Sequence, residues 1–432
     1  MNLRGNALLL ALLTALVAIL GDWSGSPWLA VLWRLPAGLL LLGLGYESWL
    51  MTRAPLRLEL GAPVAWILGR PVRLQLRCAH PLRRSLRVEI APAAPPPFAF
   101  DPAPRALEIP AGQWAMSTLI VTPRSLGRYG WPALRVRVAG PFGLAWWSRR
   151  VSAPCEAQVV TDLLRNAEGV QGLGSIGNRG SATLGAGVEL RQLRAYQRGD
   201  PPRIIDWKAT ARTRRLVSRD FSEDQHLEIL ILIDAGRSSG LRAGELDRFG
   251  HYVNVAARLS QFAVTQDDKV GLLLFAEQPL LTLPPARGVS AAARIRRALS
   301  GARVMGRESN PLQAALHARA LLGQRSLVIL LTDLDDATVA SQLAGAVRLL
   351  LPKHLPFIAG LSSEAAWQLA QAPASSWLDP YHSLAAQEYC TGLERKVRAL
   401  KSLGAPALAA RPEQLEHAVF EAYASTRQRR RV

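Results

Sequence analysis

The sequence predicts an α/β protein: a Rossmann-type, mostly parallel sheet with helices on both faces, preceded by a transmembrane helical hairpin and a small antiparallel β-sandwich. Three observations support this. From about residue 226, short apolar runs alternate with amphipathic stretches, the pattern of buried parallel strands joined by helices. Between residues 55 and 150, shorter segments alternate apolar and polar with period two, as strands with one wet face do. At the N-terminus, two long apolar segments flank a short turn.

Residues 7–20 (ALLLALLTALVAIL) carry no charge, and residues 28–50 are almost as apolar, with Arg34 and Pro36 among them. With its flanks, each reaches the roughly 20 apolar residues that cross about 30 Å of hydrocarbon. Trp23, Trp28 and Trp49 sit near the ends, where amphipathic rings favour the interface. GDWSGSP reads as a tight turn, so residues 1–53 form the expected hairpin. Arg4 precedes the first span, Arg53 and Arg57 follow the second, and the turn carries Asp22 without Lys or Arg. This asymmetry places both termini in the cytoplasm. Arg34 opposes it and is expected to snorkel outward. A cleaved signal peptide would also fit Arg4 and the first run, but no clear small-x-small site follows.

Residues 72–78, 86–90 and 134–138 alternate strictly, and prolines 92, 95, 96, 97, 102 and 104 break the chain between them. Residues 54–152 therefore read as the sandwich, a spacer or binding module without clustered carboxylates or histidines. Residues 153–225 hold a Gly-rich loop and a charged segment. Gly172, Gly174 and Gly177 spell G-x-G-x-x-G, but no strand runs into it, no helix opens after it and no G-K-[ST] follows, so a loop is expected and not a nucleotide site.

Over 226–405, strands are expected at 227–233, 269–276, 326–332 and 356–361, with helices at 245–264, 290–300, 311–322 and 337–351. Residues 406–432 close the chain with a helix near 411–428 and the run Arg427, Arg429, Arg430 and Arg431. The helix and that tail read as a contact with anionic lipid.

Composition limits the function classes. The net charge is +19, and 47 of the 52 basic residues are arginine. Spread along the chain, they read as a compositional bias more than as a footprint for an anion. A nucleic-acid partner is not expected, because the Trp-rich stretches lie in the spans and the β-segment, away from interleaved basic residues. Cys78, Cys155 and Cys390 form no C-x-x-C pair, and the seven histidines form no H-x-x-x-H pair. Neither a zinc site nor a disulfide framework is indicated.

In open α/β sheets, ligands bind at the carboxyl ends of the strands. The first central strand ends in Asp234-Ala235-Gly236-Arg237-Ser238-Ser239-Gly240, and the strand at 326–332 ends in Asp333-Leu334-Asp335-Asp336. Glu308-Ser309-Asn310-Pro311 lies between them, just before a helix. This layout resembles a von Willebrand factor A domain, whose adhesion site holds Mg²⁺ on D-x-S-x-S, a later Thr and a later Asp. The resemblance implies Asp234, Ser238 and Asp333 as metal ligands, with Ser309 or Asn310 in place of the Thr. Hard oxygen ligands in near-octahedral array suit Mg²⁺, but Gly236 replaces the first serine and removes one oxygen. The alternative is that Asp234 and Asp333 cap loops and helix N-termini.

The run GVELRQLRAYQRGDPPRIIDWKATAR at 187–212, followed by LVSRDFSED, resembles the signature of a bacterial family, domain of unknown function 58. Glu189, Leu193, Arg194, Tyr196, Gly199, Asp200, Arg203, Ile205, Asp206, Trp207, Lys208, Ala211 and Arg212 match, and Gly140-Pro141-Phe142-Gly143-Leu144 resembles that family's D-P-F-G-L with Gly140 in place of Asp. The resemblance implies a protein of the bacterial inner membrane, with two spans in the lipid bilayer and its bulk in the cytoplasm. It also implies a MoxR-type AAA+ ATPase partner, an assembly or chaperone-like role, and binding rather than catalysis. Arg194, Tyr196, Gly199, Asp200, Arg203, Asp206, Trp207, Lys208 and Arg212 read either as an ion-paired connector anchored by a buried Trp207 or as a docking surface.

The rival is a serine hydrolase. Gly236-Arg237-Ser238-Ser239-Gly240 fits G-x-S-x-G after a strand, with Asp333 or Asp335 and then His354 or His382 completing a triad. Against it, the next helix starts near Glu245, Asp234 would face a developing oxyanion, and no H-G-G-G-type loop is present.

Overall fold

The computed structural model describes residues 2–24, 28–53, 56–63, 65–91, 98–100, 105–131, 134–152, 155–162, 184–222 and 226–431. The prolines at 92–104 and Gly172, Gly174 and Gly177 lie outside them. The chain divides into two compact units, residues 1–160 and 161–432.

In the first unit, α1 (Gly5–Ser24) is long and apolar enough to cross a membrane, and among the described residues no other helix is. The expected second span is interrupted. A single turn, Leu29–Leu32, precedes α2 (Arg34–Arg53), which carries Arg34, Glu47 and Arg53. The start of α1 and the end of α2 meet the same β-turn. Arg4 N–H donates to Leu144 O at 2.8 Å, and Asn6 Nδ2 to Phe142 O at 3.3 Å. Glu47 is fully buried. Its Oε1 accepts from the N–H groups of Phe142 (2.9 Å) and Leu144 (3.2 Å), and its Oε2 from that of Ala145 (3.2 Å) and the Trp147 indole (3.4 Å).

That turn joins Leu134–Ala139 to Ala145–Val151 in an antiparallel sheet completed by Asn2–Leu3, Leu86–Ala91 and Arg105–Ile109. A second antiparallel sheet contains Arg57–Gly61, Val72–Ala79, Ala115–Pro123 and Phe98–Phe100. A three-stranded sheet joins Ala65–Ile67, Cys155–Val160 and Gly127–Trp131. The period-two pattern has its structural counterpart: Leu74, Leu76 and Cys78 are buried between exposed Arg73, Gln75 and Arg77, and Val136 and Val138 are buried beside exposed Arg135 and Arg137.

The second unit opens with an antiparallel pair, β1 (Leu184–Ala195) and β2 (Val217–Ser222), with α3 (Trp207–Thr213) between them in sequence. Six strands then form its main sheet: β3 (Glu228–Asp234), β4 (Lys269–Phe275), β5 (Pro279–Ala286), β6 (Leu327–Leu331), β7 (Leu355–Leu361) and β8 (Ala407–Ala410). Their order is β5-β4-β3-β6-β7-β8, parallel throughout except β5, which runs antiparallel to β4. Every residue of β3 is buried, which is why its sequence shows no alternation. The helices are α4 (Arg248–Thr265), α5 (Val289–Ser300), α6 (Pro311–Leu321), α7 (Ala337–Leu350), α8 (Glu364–Gln371), α9 (Asp379–Ser402) and α10 (Pro412–Arg431).

Arg427, the first arginine of the C-terminal run, is bonded within the fold: its Nη1 donates to Asp268 Oδ2 and Tyr423 Oη at 2.9 Å, and its Nη2 to Gln266 O at 3.0 Å.

Candidate functional site

Parallel strands end together, so the carboxyl ends of β3 and β6 bring Asp234 and Asp333 to one edge. Asp234 is fully buried. Its Oδ1 accepts from Ser309 Oγ at 2.5 Å and Gly236 N–H at 2.8 Å, and its Oδ2 accepts from Thr332 Oγ1 at 2.7 Å. Burial raises its pKa above the ordinary carboxylate value, and these hydrogen bonds oppose the rise. Gly236 is demanded here, since a Cβ would lie 2.1 Å from Ser309 Oγ. The Ser309 hydroxyl thus fills the space into which a serine at 236 would project. Asn310 instead caps α6, accepting from Gln313 N–H at 3.1 Å. Backbone bonds hold the 301–310 loop across the strand ends: Met305 N–H to Ala235 O (2.7 Å), Arg237 N–H to Arg307 O (2.8 Å) and Asn310 N–H to Ala276 O (2.8 Å).

Asp333 has a different neighbour. The guanidinium of Arg248, from the first turn of α4, lies with Nη1 2.5 Å from Asp333 Oδ1, close but not aligned as a hydrogen bond, while Nη2 bonds Asp335 Oδ2. The Arg248 and Asp333 side chains are 6% and 3% exposed, so the charges are compensated inside the fold. Burial works to lower the Arg248 pKa, but Asp333 and Asp335 outweigh it and hold the guanidinium charged. Helix α9 covers the same aspartate: Tyr389 Oη donates to Asp335 Oδ1 at 2.8 Å, and Lys396 Nζ bonds Asp335 O. Tyr252, fully buried one turn after Arg248, donates to Thr332 O at 3.1 Å.

The Mg²⁺ ligand set expected from the sequence is therefore not assembled as a set. Asp234 and Ser309 meet, Asp333 is engaged by a guanidinium, and Ser238 forms no side-chain hydrogen bond among the described residues. No group of three or more His, Cys, Asp and Glu among the described residues is placed to hold a metal ion. A divalent ion needs an oxygen shell, and a guanidinium against both Asp333 and Asp335 would repel it. The donor set does not fit the metal.

A triad through His354 is not assembled either. His354 immediately precedes β7, at the amino end of the sheet, while Ser238 follows the carboxyl end of β3. His354 is buried, and among the described residues neither ring nitrogen has a hydrogen-bond partner. Asp335 is bound by Arg248 and Tyr389.

The charged signature folds as an arm around β1, α3 and β2. Arg194 pairs with Asp200 through both carboxylate oxygens, at 2.7 and 2.8 Å. Gln197 N–H and Ser218 Oγ also donate to Asp200, at 2.9 and 3.1 Å, and Tyr196 Oη to its carbonyl. The Arg194 bond above all holds that carboxyl well below the usual range. Gly199, at φ +112°, turns the chain through a conformation that favours glycine. Asp206 caps α3, accepting at 3.0 Å from the N–H groups of Lys208 and Ala209 and from Arg219 Nε. Its pKa is lowered, first by the Ala209 bond. The buried-anchor reading of Trp207 is corrected: the ring is 65% exposed. Arg203, Lys208 and Arg212 are exposed too, and no ion pair engages them among the described residues.

A family model described as a protein of unknown function, DUF58, matches residues 192–355. The match runs from β1 to the start of β7. No curated protein matches it. Among solved structures, this chain is similar to the conserved hypothetical protein BatB of Bacteroides thetaiotaomicron, at 18% identity over 31% of this chain and 66% of that one, with a TM-score of 0.26. The match thus spans just under two thirds of BatB. It is also similar to an aerotolerance-related membrane protein of Bacteroides fragilis, at 13% identity over 45% and 97% of the two chains, TM-score 0.31. A third similarity is to proximal thread matrix protein 1 of the mussel byssus, at 16% identity over 38% and 47%, TM-score 0.27.

Thr332 and Arg248 are site residues that the motif search does not mark. Thr332 has a signal, since it directly precedes Asp333 at a strand end. Arg248 has a fainter one: it lies four residues before Tyr252, on the apolar face of α4.

Proposed function

We propose that this protein is a membrane-anchored protein-interaction module built on a von Willebrand factor A-like domain, an adaptor to a MoxR-type AAA+ ATPase in assembly or chaperone-like work. On this reading a two-span hairpin holds it in a bacterial inner membrane with its bulk in the cytoplasm, and it performs no catalysis. The DUF58 match over residues 192–355, the apolar helix α1 and the strand order of the main sheet support the reading. The observation that carries it is the arm: Trp207 is 65% exposed, and Arg203, Lys208 and Arg212 are exposed too, with no ion pair on them among the described residues. An exposed Trp among Arg residues has the chemistry of a binding hot spot, and internal bonds to Asp200 and Asp206 hold the arm's shape in advance.

The test is capture of partners by the tagged full-length protein, solubilised from its own host with ATP and Mg²⁺ present. An AAA+ ATPase recovered with wild type and lost with Trp207→Ala/Lys208→Ala/Arg212→Ala supports the adaptor reading. Recovery of no ATPase, or equal recovery with the variant, counts against the reading or against the arm as its docking surface.

A further inference from the structure

We infer that Arg248 is the resident cation of the carboxyl-edge site, so that this edge is closed by the chain itself and works without a divalent metal. The inference stands apart from the choice of partner. Three observations bear on it. First, the guanidinium lies against both Asp333 and Asp335, the carboxylates that follow β6. Second, these three groups form one electrostatic cluster with Asp234, whose own oxygens are taken by Ser309, Thr332 and the Gly236 N–H. Third, α9 lies over Asp335 through Tyr389 and Lys396, so the cluster is covered from outside as well as neutralised from within.

The chemistry follows from charge. A buried and a half-buried carboxylate at one strand end need positive charge, and a metal or a guanidinium can provide it. A metal would leave a coordination position for an acidic group of a partner. Arg248 is 5% exposed, a guanidinium has no coordination position to offer, and its charge is held against Asp333 and Asp335, so it leaves no such position. Recognition by this protein is therefore metal-independent at this edge, and chelators leave the folded domain intact.

The experiment is a Mn²⁺ titration of the full-length protein in detergent, read by electron paramagnetic resonance, with thermal melting alongside. Wild type is expected to bind no Mn²⁺ that Asp333→Asn abolishes, and its melting temperature is unchanged by a chelator. Arg248→Ala vacates the pocket between two carboxylates and is expected to acquire one Mn²⁺ site, lost again in Arg248→Ala/Asp333→Asn, with its melting temperature raised several degrees by Mn²⁺. Saturable Mn²⁺ binding by wild type that requires Asp333 overturns the inference. So does a folded Arg248→Ala that takes up no Mn²⁺, since Arg248 would then not be standing in for a cation. If Arg248→Ala does not fold, Arg248→Met serves as the second variant, and the wild-type titration decides without either.

Discussion

Asp247 shows how one side chain couples a helix cap to pH. It caps α4, accepting from Gly250 N–H at 2.7 Å, and burial pushes its carboxyl up to about 6. The unfolded value is about 3.9, so between the two the native state holds a proton that the unfolded state has released. Stability from this group is full below about pH 4 and is lost as pH rises through 6. At about 1.4 kcal/mol per unit, roughly two units set an upper bound near 3 kcal/mol. Asp247→Asn keeps the cap without the charge. It is expected to melt higher than wild type at neutral pH and to flatten the decline between about pH 4 and 6.5. Parallel melting curves for the two proteins across that range would sink the assignment.

Elements were legible where their physics is local. Period-two alternation marks the strands at 72–79, 86–91 and 134–139, and continuous apolar runs mark β3, β4, β6 and β7. Strand β5 is masked by Pro279, Pro284 and Pro285, which only an edge strand tolerates. Helix α9 buries Ala386, Cys390, Leu393 and Leu400 on an otherwise polar surface, too narrow a stripe to read from periodicity. The junction at Glu47 was not legible at all, because its partners lie about a hundred residues away. It nevertheless explains Gly140: a Cβ there would stand 2.0 Å from Glu47 Cδ, so Glu47 brings a carboxylate where the family pattern has Asp. Glu47→Ala leaves the N–H groups of Phe142, Leu144 and Ala145 without their acceptor, at about 1–3 kcal/mol for each that stays buried and unpaired. The first unit is expected to unfold several degrees earlier. Adding Gly140→Asp should recover part of the loss, whereas Gly140→Asp alone should destabilise by crowding Glu47. Differential scanning calorimetry in detergent reads all three variants, and a double variant no better than Glu47→Ala would remove the compensation account.

Across the whole molecule, the +19 charge divides into arginines that face solvent and arginines that hold the fold together, and sequence spacing alone does not separate them. Asp234 and Ser309 could be paired from their positions at strand and helix ends. The roles of Arg248 and Arg427 depend on aspartates brought close only by the completed sheet. Arg427 sits at the end of α10, beside three further arginines, yet it is the residue that meets Asp268. Asp268 is fully buried and also accepts from Leu227 N–H at 2.9 Å and from Tyr423 Oη. It therefore ties α10 to the start of β3 and the start of β4. Removing one partner of a buried pair strands the other charge and typically costs about 3–5 kcal/mol; with Arg427 17% exposed, the lower end applies. Arg427→Ala is thus expected to lower the melting temperature of the second unit clearly. Deleting residues 428–432 should leave it within error, although it removes three arginines. Asp268→Asn/Arg427→Ala should lose less than the sum of the single variants, because the double variant strands no charge. Equal destabilisation by the deletion and by Arg427→Ala would show that the tail acts through bulk charge and that the Asp268 contact contributes little.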